Sequence, residues 1–243
     1  MLAFSSLLGN VEGQNIYRIW YDKPASYWEE ALPVGNGRIA AMVFGDPQLE
    51  QIQLNEETVS AGSPYQNYNE EAKTALPEMR RLIFEGKYEE AQNMAATKIL
   101  SQVGNEMPYQ TVGRLNIRYQ DHKKVNNYYR DLDISNAVAV ARYGVEFTEE
   151  TFASFTDQLV IRHIKASKPG TINCELFFNT PMRDPKRSIY GKKGLRLEGI
   201  THGSRYFPGK VHYCADLDVK HKGGKVITAN DTLLSVQGAS ELT

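Results

Sequence analysis

The chain is long enough for one large domain and is almost electrically neutral. Its 243 residues are 41% hydrophobic, and 28 basic residues stand against 29 acidic ones, a formal net charge of −1. That balance argues against a nucleic-acid-binding surface, which requires an excess of Lys and Arg. The sequence lacks an apolar run of about 18 residues, so it predicts no membrane span.

The first 14 residues read as a leader in front of a domain that covers residues 15–243. MLAFSSLLGNVEGQ has a short apolar run, followed by Val11 and Gly13 at the −3 and −1 positions of a cleavage site before Gln14. This pattern is typical of the end of a secretory signal that lacks its basic start, and equally of a disordered leader. The signal interpretation predicts a periplasmic or extracellular protein.

Short alternating runs between residues 15 and 61 predict β-strands, among them NIYRIWYD, RIAAMVFGD and LEQIQL. Within this region Gly35, Gly37 and Ala40 match the G-x-G-x-x-G/A pattern of a dinucleotide-binding turn, which needs a strand before it and a long helix after it. The residues before Gly35 do not read as a buried strand, and only seven residues separate Gly37 from Gly45. Asn36-Gly37 therefore predicts a β-hairpin turn.

The period changes to that of a helix from about residue 69 to residue 100. Asn69 is a candidate N-cap, Pro77 is expected to open a second helical piece at its first position, and Gly86 is expected to end that piece. The last helix carries an apolar stripe that we expect to pack against the core: Tyr88, Ala91, Met94 and Ala95.

From Tyr109 onward the sequence predicts one strand after another. The strands are separated by turns at 168–170 and 179–181, by a basic loop from Arg183 to Gly194, and by a hairpin turn at 222–225. The expected fold class is all-β: a large antiparallel β-sandwich (supersandwich) with a short helical excursion at about 69–100.

The two cysteines fall on opposite faces of their strands. Cys174 alternates with Ile172 and Leu176 on an apolar face, whereas Cys214 shares a polar face with Asp216. A disulfide needs Cβ atoms that lie close together and point toward each other, so we expect both thiols to be free.

Paired carboxylates, which glycoside hydrolysis uses, do not converge in this sequence. Glu149 and Glu150 are adjacent and must point to opposite faces of a strand, and Asp131 and Asp133 are expected on a solvent-facing surface. Glu56, which follows an apolar strand, is more typical of a surface role than of catalysis. The five histidines show no metal-ligand spacing, so the residues predict no catalytic group, no metal and no cofactor.

Four stretches in order resemble the start of family 95 glycoside hydrolases, the α-L-fucosidase family that also includes α-L-galactosidases. They are WYDKPASYWEEALPVGNGRIAAMVFGD (20–46), IQLNEET (52–58), LPEMRRLIFEGKYEEAQ (76–92) and FASFTDQLVIRHI (152–164). The chain departs from the family in LNEETVSAG, where the family has a Trp, and in GRIAAM, where the family reads GRLGAM. These departures affect a substrate inference and leave the domain assignment intact.

The resemblance implies a parent enzyme with a large N-terminal β-sandwich, a helical linker, an (α/α)6 barrel and a C-terminal β domain. Inverting hydrolysis of α-L-fucosyl linkages takes place in the barrel, so no catalytic residue of the family maps onto this chain, and we expect the chain alone to be inactive. Its partners would be the absent barrel of the same polypeptide and, through the parent enzyme, a fucosylated glycan. The barrel-facing rim is expected at Asn36, Arg38, Asn55 and Glu56.

Two alternatives remain open from the sequence. A stand-alone carbohydrate-binding β-sandwich would present a strip of exposed aromatic rings, but Trp20 and Trp28 both lie near the N-terminus. A product of gene truncation would expose the apolar face meant for the barrel.

Overall fold

The computed structural model describes residues 17–63, 66–101, 107–120, 125–144, 147–204 and 208–243. The predicted leader, residues 1–14, lies outside the described residues. The described chain is dominated by antiparallel strands, and it forms two seven-stranded sheets and a smaller three-stranded sheet. The predicted all-β sandwich is confirmed.

The strands are numbered here in chain order. The first nine are β1 (Arg18–Tyr21), β2 (Leu32–Gly35), β3 (Ile39–Val43), β4 (Leu49–Glu56), β5 (Gly113–Tyr119), β6 (Tyr129–Asp133), β7 (Val138–Tyr143), β8 (Phe147–Ser154) and β9 (Leu159–Ala166). The remaining eight are β10 (Ile172–Asn179), β11 (Arg183–Tyr190), β12 (Gly194–Ile200), β13 (His212–Asp218), β14 (His221–Lys222), β15 (Lys225–Asn230), β16 (Leu233–Ala239) and β17 (Glu241–Leu242).

The described strands form three sheets. The first has the order β1-β6-β7-β8-β9-β17-β14, the second β15-β16-β10-β5-β4-β3-β2, and the third β11-β12-β13. The two large sheets enclose a common apolar core, and strands β2 and β3 pack across it against β6 to β9. Alternation along β10 is typical of the core strands, since Ile172, Cys174 and Leu176 are all buried.

The hairpin predicted at Asn36-Gly37 joins β2 to β3, with Gly37 at φ +96°. One part of the prediction was wrong: the residues before Gly35 do form a strand, β2, whose Leu32 and Val34 are buried. Pro33 is tolerated there because β2 is the edge strand of its sheet, so the missing N–H removes no hydrogen bond of the ladder. A strand and not a helix follows the turn, which excludes a dinucleotide-binding turn.

The helical excursion consists of α1 (Ala72–Phe84), α2 (Tyr88–Met94) and a π-helical turn, Ala95–Ile99. Gly86, at φ +75°, ends α1 as predicted. Pro77 lies inside α1 instead of opening a new helix. The carbonyl of Lys73 thereby loses its N–H partner, but both residues are exposed, so water can replace that hydrogen bond.

The stripe on the last helix is only partly buried. Ala91 is in the core, but Tyr88 is exposed, and neighbouring Phe84 of α1 is 89% exposed. The two helices and the π-helical turn pack mainly against one another rather than on the sheets. The expectation that the whole stripe packs on the core was therefore wrong for Tyr88.

Three further expectations need correction. The basic loop from Arg183 to Gly194 is mostly strand β11, because Arg183 and the consecutive residues from Lys186 to Tyr190 pair with β12. The turn at Gly223-Gly224 joins strands of different sheets and makes no hairpin, since β14 pairs with β17 and β15 with β16. Asp131 and Asp133 are buried, because Arg18 of β1 forms ion pairs with both.

Both cysteines are free, as predicted, with Cys174 buried and Cys214 exposed. Burial raises the pKa of the Cys174 thiol to about 12. No helix among the described residues is long and apolar enough to cross a membrane.

Candidate functional site

A cleft of about 610 Å³ opens where the three sheets meet. One wall is β9, the floor is formed by β3, β4, β5 and β10, and the other wall is β13 with Tyr190 of β11. Its interior is largely apolar, with Leu54, Val160 and Leu217 half-buried against the core. Charged side chains of both signs stand around it: Arg38, Glu56, Arg162, Asp216, Asp218 and Lys220.

Three of the four predicted rim residues line this cleft: Arg38, Asn55 and Glu56. The β2–β3 hairpin presents Arg38, and the end of β4 presents Glu56; their Nε and Oε1 atoms lie 3.1 Å apart. The backbone N–H of Thr58 donates to Glu56 Oε2 at 2.8 Å. Burial raises the pKa of Glu56, but the hydrogen bonds from Thr58 and Arg38 together outweigh it, so the pKa is lowered and the carboxylate stays charged.

Asn36, the fourth predicted residue, lies outside the cleft lining and holds the hairpin in place. Its Oδ1 accepts hydrogen bonds from the backbone N–H groups of Arg38 at 3.1 Å and Ile39 at 2.9 Å. Its Nδ2 donates to the carbonyl of Ser154 at 2.8 Å, which ties the hairpin to the end of β8. Asn36 therefore positions Arg38 and does not face the cleft itself.

Asn55 places an unsatisfied polar atom at the rim. Its Oδ1 is buried and meets no hydrogen-bond donor among the residues that the structure describes. Buried amide oxygens in folded proteins nearly always have a partner, so this atom is an exception. The same side chain forms a hydrogen bond with Tyr109.

The opposite wall carries one carboxylate, Asp216, that is held as an anion. Arg196 of β12 donates from Nε and Nη2 to the two oxygens of Asp216, each at 2.7 Å, and this pairing lowers the pKa of Asp216. Glycoside hydrolysis needs a carboxylic acid whose pKa is raised, so that it is protonated before it donates. Glu56 and Asp216 are shifted in the other direction and suit recognition of hydroxyl groups or pairing with cations.

A network of buried charges lies beneath the cleft, between the two large sheets. Arg162 of β9 contacts Glu50 of β4 at 2.9 Å and Glu149 of β8 through the same nitrogen, Nη2. Glu149 also accepts hydrogen bonds from the hydroxyl groups of Tyr119 and Tyr143. Both carboxylates are 0% exposed, so a glycan in the cleft cannot reach them.

Two carboxylates share one guanidinium in this network, which leaves an excess negative charge. Burial raises the pKa of Glu50 to about 7; Arg162 opposes the shift and Glu149 adds to it. Three donors face Glu50: the backbone N–H groups of Phe44 and Gly45 and the Arg162 guanidinium. The network joins β4 of one sheet to β8 and β9 of the other, and we assign it a structural role.

The sequence carried a signal for this network that the prediction did not use. Each charged residue stands where strand alternation requires an apolar one. Glu50 shares a face with buried Ile52, Glu149 with buried Phe147, and Arg162 with buried Ile164. Opposite charges at inward positions of three strands predict a buried ion pair.

Ligands for a metal do not gather anywhere in the described part of the chain: no group of three or more His, Cys, Asp or Glu side chains there could hold an ion.

Comparison with known proteins places this chain among glycoside hydrolase domains. Residues 19–243 match the model of the glycosyl hydrolase family 65, N-terminal domain. The chain is 36% identical to Alpha-L-fucosidase 2 of Arabidopsis thaliana over 181 residues, 71% of this chain and 21% of that protein. It is 27% identical to Probable alpha-fucosidase A of Aspergillus niger over 61% of this chain, and 24% identical to Probable alpha-fucosidase A of Aspergillus oryzae over 80%.

The chain spans only 20% to 28% of the length of these relatives. The match of the family model, by contrast, covers nearly the whole chain, and it coincides with the described β-sandwich. The resemblance to the N-terminal domain of α-L-fucosidase-type hydrolases is thus confirmed. The chain belongs to the family of glycosyl hydrolase family 65 N-terminal domains.

Proposed function

We propose that the chain is the non-catalytic N-terminal domain of a family 95 α-L-fucosidase, whose barrel in the same polypeptide hydrolyses α-L-fucosyl linkages with inversion. The observation that carries this proposal is the 36% identity to Alpha-L-fucosidase 2, confined to 21% of that protein. The described residues support it, because Glu56 and Asp216 at the cleft rim have lowered pKa values and the carboxylates of the buried network are closed to substrate.

The cleft rim is the surface that we assign to the catalytic barrel. Arg38 and Glu56 form an exposed ion pair, and the buried Oδ1 of Asn55 needs a donor that the described chain does not supply. In the parent enzyme these groups would hydrogen bond to the barrel and fix its position near the substrate pocket. Their contribution to catalysis would be positioning.

Rim variants of the longer natural chain test this assignment. Arg38→Ala and Asn55→Ala should lower kcat/KM for an aryl α-L-fucoside, and Arg38→Ala should change the folding stability of the domain by less than about 1 kcal/mol, as for exposed ion pairs in general. Arg118→Ala is the matched control, since Arg118 forms a comparable exposed ion pair with Glu175 at 3.0 Å, away from the cleft. Equal kcat/KM for rim and control variants would contradict the assignment.

The proposed activity sets the expected substrate, whereas the location of the enzyme depends on the leader. The longer chain should hydrolyse an aryl α-L-fucoside faster than the corresponding α-L-galactoside. If the apolar leader is a secretory signal, the mature protein is periplasmic or extracellular, and N-terminal sequencing should find its first residue near Gln14. A mature chain that retains Met1 would contradict export by this signal.

A stand-alone carbohydrate-binding module is the second candidate, and exposed aromatic rings favour it. Trp20 is 61% exposed and stacks on Tyr129 at a centroid distance of 6.3 Å, and Trp28 is also exposed. Aromatic faces bind sugar rings, and Trp20 and Trp28 are the two tryptophans of the sequence, so their fluorescence reports directly on binding. A saturable change with 2′-fucosyllactose that Trp20→Ala abolishes would support this candidate over the first.

A further inference from the structure

Two strand edges without a neighbour border the cleft. On the side of β9 away from β8, β17 pairs only with Ile164 and Lys165, so the stretch from Leu159 to His163 has no partner strand among the described residues. Strand β13 pairs with β12 along one side, and no described strand pairs with its other side. Both free edges belong to residues that line the cleft.

The backbone of both edges points into the cleft. The N–H of Ala166 donates to Ser240, so in a regular strand the peptide groups of Arg162 and Val160 face the same side. On the other wall Lys220 and Thr243 exchange both backbone hydrogen bonds, at 2.8 and 2.9 Å. The peptide groups of Asp218 and Asp216 therefore also face the cleft.

The register of β17 fits both edges at once. Leu242 lies opposite Ile164 on one side and His221 on the other, and each step forward along β17 is a step back along β9 and β13. The first and third residues after Thr243 would thus pair with Arg162 and Val160 of β9. The second and fourth would pair with Asp218 and Asp216 of β13. In each of these pairs the peptide group of β9 or β13 already faces the cleft, so it can hydrogen bond to the added residue opposite it.

We propose that the cleft is an open strand position, and that its occupant is the polypeptide that continues β17 beyond Thr243 in the natural protein. The first and third residues of this segment face the core beside Val219 and Leu217, so they are apolar; the second and fourth face outward beside Asp218 and Asp216. The known relatives extend well beyond the matched region, so such polypeptide is available in this family.

This strand would join two of the sheets. The first sheet would continue from β9 through the extended β17 to β13, β12 and β11, and it would cover the Arg162 network. The added strand runs toward the end of β8, where Asn36 bonds to Ser154. The chain would then leave the sandwich beside Arg38 and Glu56. Strand register alone supports this added strand, independently of the proposed fucosidase activity.

Hydrogen exchange compares the 243-residue chain with a chain extended by the next eight natural residues. In the longer chain the amides of Val160, Arg162, Asp216 and Asp218 should exchange at least about tenfold more slowly. The amides of Ile161 and Leu217 face β8 and β12, so they serve as controls that change little. If the short chain does not fold, the test uses the longer chain alone. There the four cleft-facing amides should exchange as slowly as the two control amides.

Two variants give a second, independent readout. Leu217→Asp places a carboxylate beside the core-facing residue of the added strand, so it should lower the urea midpoint of the longer chain more than that of the short chain. Ile227→Asp is the control, because Ile227 is on β15, outside the cleft lining, and 38% exposed; it should affect both chains equally.

Four results would overturn the proposal. Equal exchange of Arg162 and Asp218 in both chains, or rapid exchange in a folded longer chain, would show that the continuation does not enter the cleft. Equal effects of Leu217→Asp in both chains would do the same. Protection that appears in the short chain only as its concentration rises would assign the position to a second copy of the chain.

Discussion

At the scale of single residues, the most consequential group is Arg162. It forms ion pairs with two buried carboxylates that belong to different sheets, and it also borders the cleft. The hairpin turn at Asn36 and Arg38 could be predicted from the sequence, as could the strand end at Asn55 and Glu56, because both are local features. The network could not be assembled in the same way, because Glu50 and Arg162 are 112 positions apart and their contact depends on how the sheets face each other.

Replacing Arg162 should be far more costly than replacing an exposed arginine. Arg162→Met leaves Glu50 and Glu149 buried without their cation, so the free energy of unfolding should fall by about 3–5 kcal/mol. Arg118→Met breaks an exposed pair with Glu175 and should cost less than about 1 kcal/mol. Urea denaturation of both variants measures the difference, and similar losses would contradict a buried network.

Glu50 should make stability depend on pH in an unusual direction. Its folded-state pKa is raised from 4.5 to about 7, so the folded chain binds the proton more tightly than the unfolded chain. The associated stability is present below about pH 4.5 and is lost as the pH rises toward 7, by about 1.4 kcal/mol for each pH unit. Glu50→Gln removes this titration, so the difference between wild type and variant should decline across that window. A constant difference from pH 4.5 to 7 would contradict the shift.

At the scale of elements, local chemistry predicted most boundaries, and the misses have physical causes. Alternation of apolar and polar residues identified the strands. Glycines identified the hairpin turn at Gly37 and the helix end at Gly86, and both have a positive φ in the structure. Strand β2 was missed because it is short and contains Pro33, which an edge position tolerates. Pro77 was placed at a helix start because sequence does not show that its side of α1 is open to water.

Substitution by alanine should destabilise the fold less at Gly37 than at Gly113, two glycines with a positive φ. A Cβ at Gly113, where φ is +140°, would lie 2.6 Å from the carbonyl oxygen of Asn179, whereas a Cβ at Gly37 would have no atom within 4 Å. Gly37→Ala should cost about 1 kcal/mol through backbone strain alone, and Gly113→Ala at least twice that. Thermal unfolding of both variants tests the order, and a greater loss for Gly37→Ala would contradict it.

At the scale of the whole molecule, the sequence predicted the fold class and the order of strands and helices but not the division into sheets. The turn at Gly223-Gly224 is visible in the sequence, yet its strands enter different sheets. Three of the four proposed rim residues do meet at one cleft. The cleft itself could not be predicted, because its walls, β9 and β13, and its floor, which includes β4, are brought together only by tertiary packing.

We propose that this domain positions a catalytic barrel and does not itself hydrolyse glycosides. Assays of the purified 243-residue chain and of the longer natural chain, side by side on an aryl α-L-fucoside and on 2′-fucosyllactose, test this role. Hydrolysis is expected from the longer chain and none from the 243-residue chain. Hydrolysis by the 243-residue chain, lost on Glu56→Gln, would contradict it and would place the reaction in the cleft.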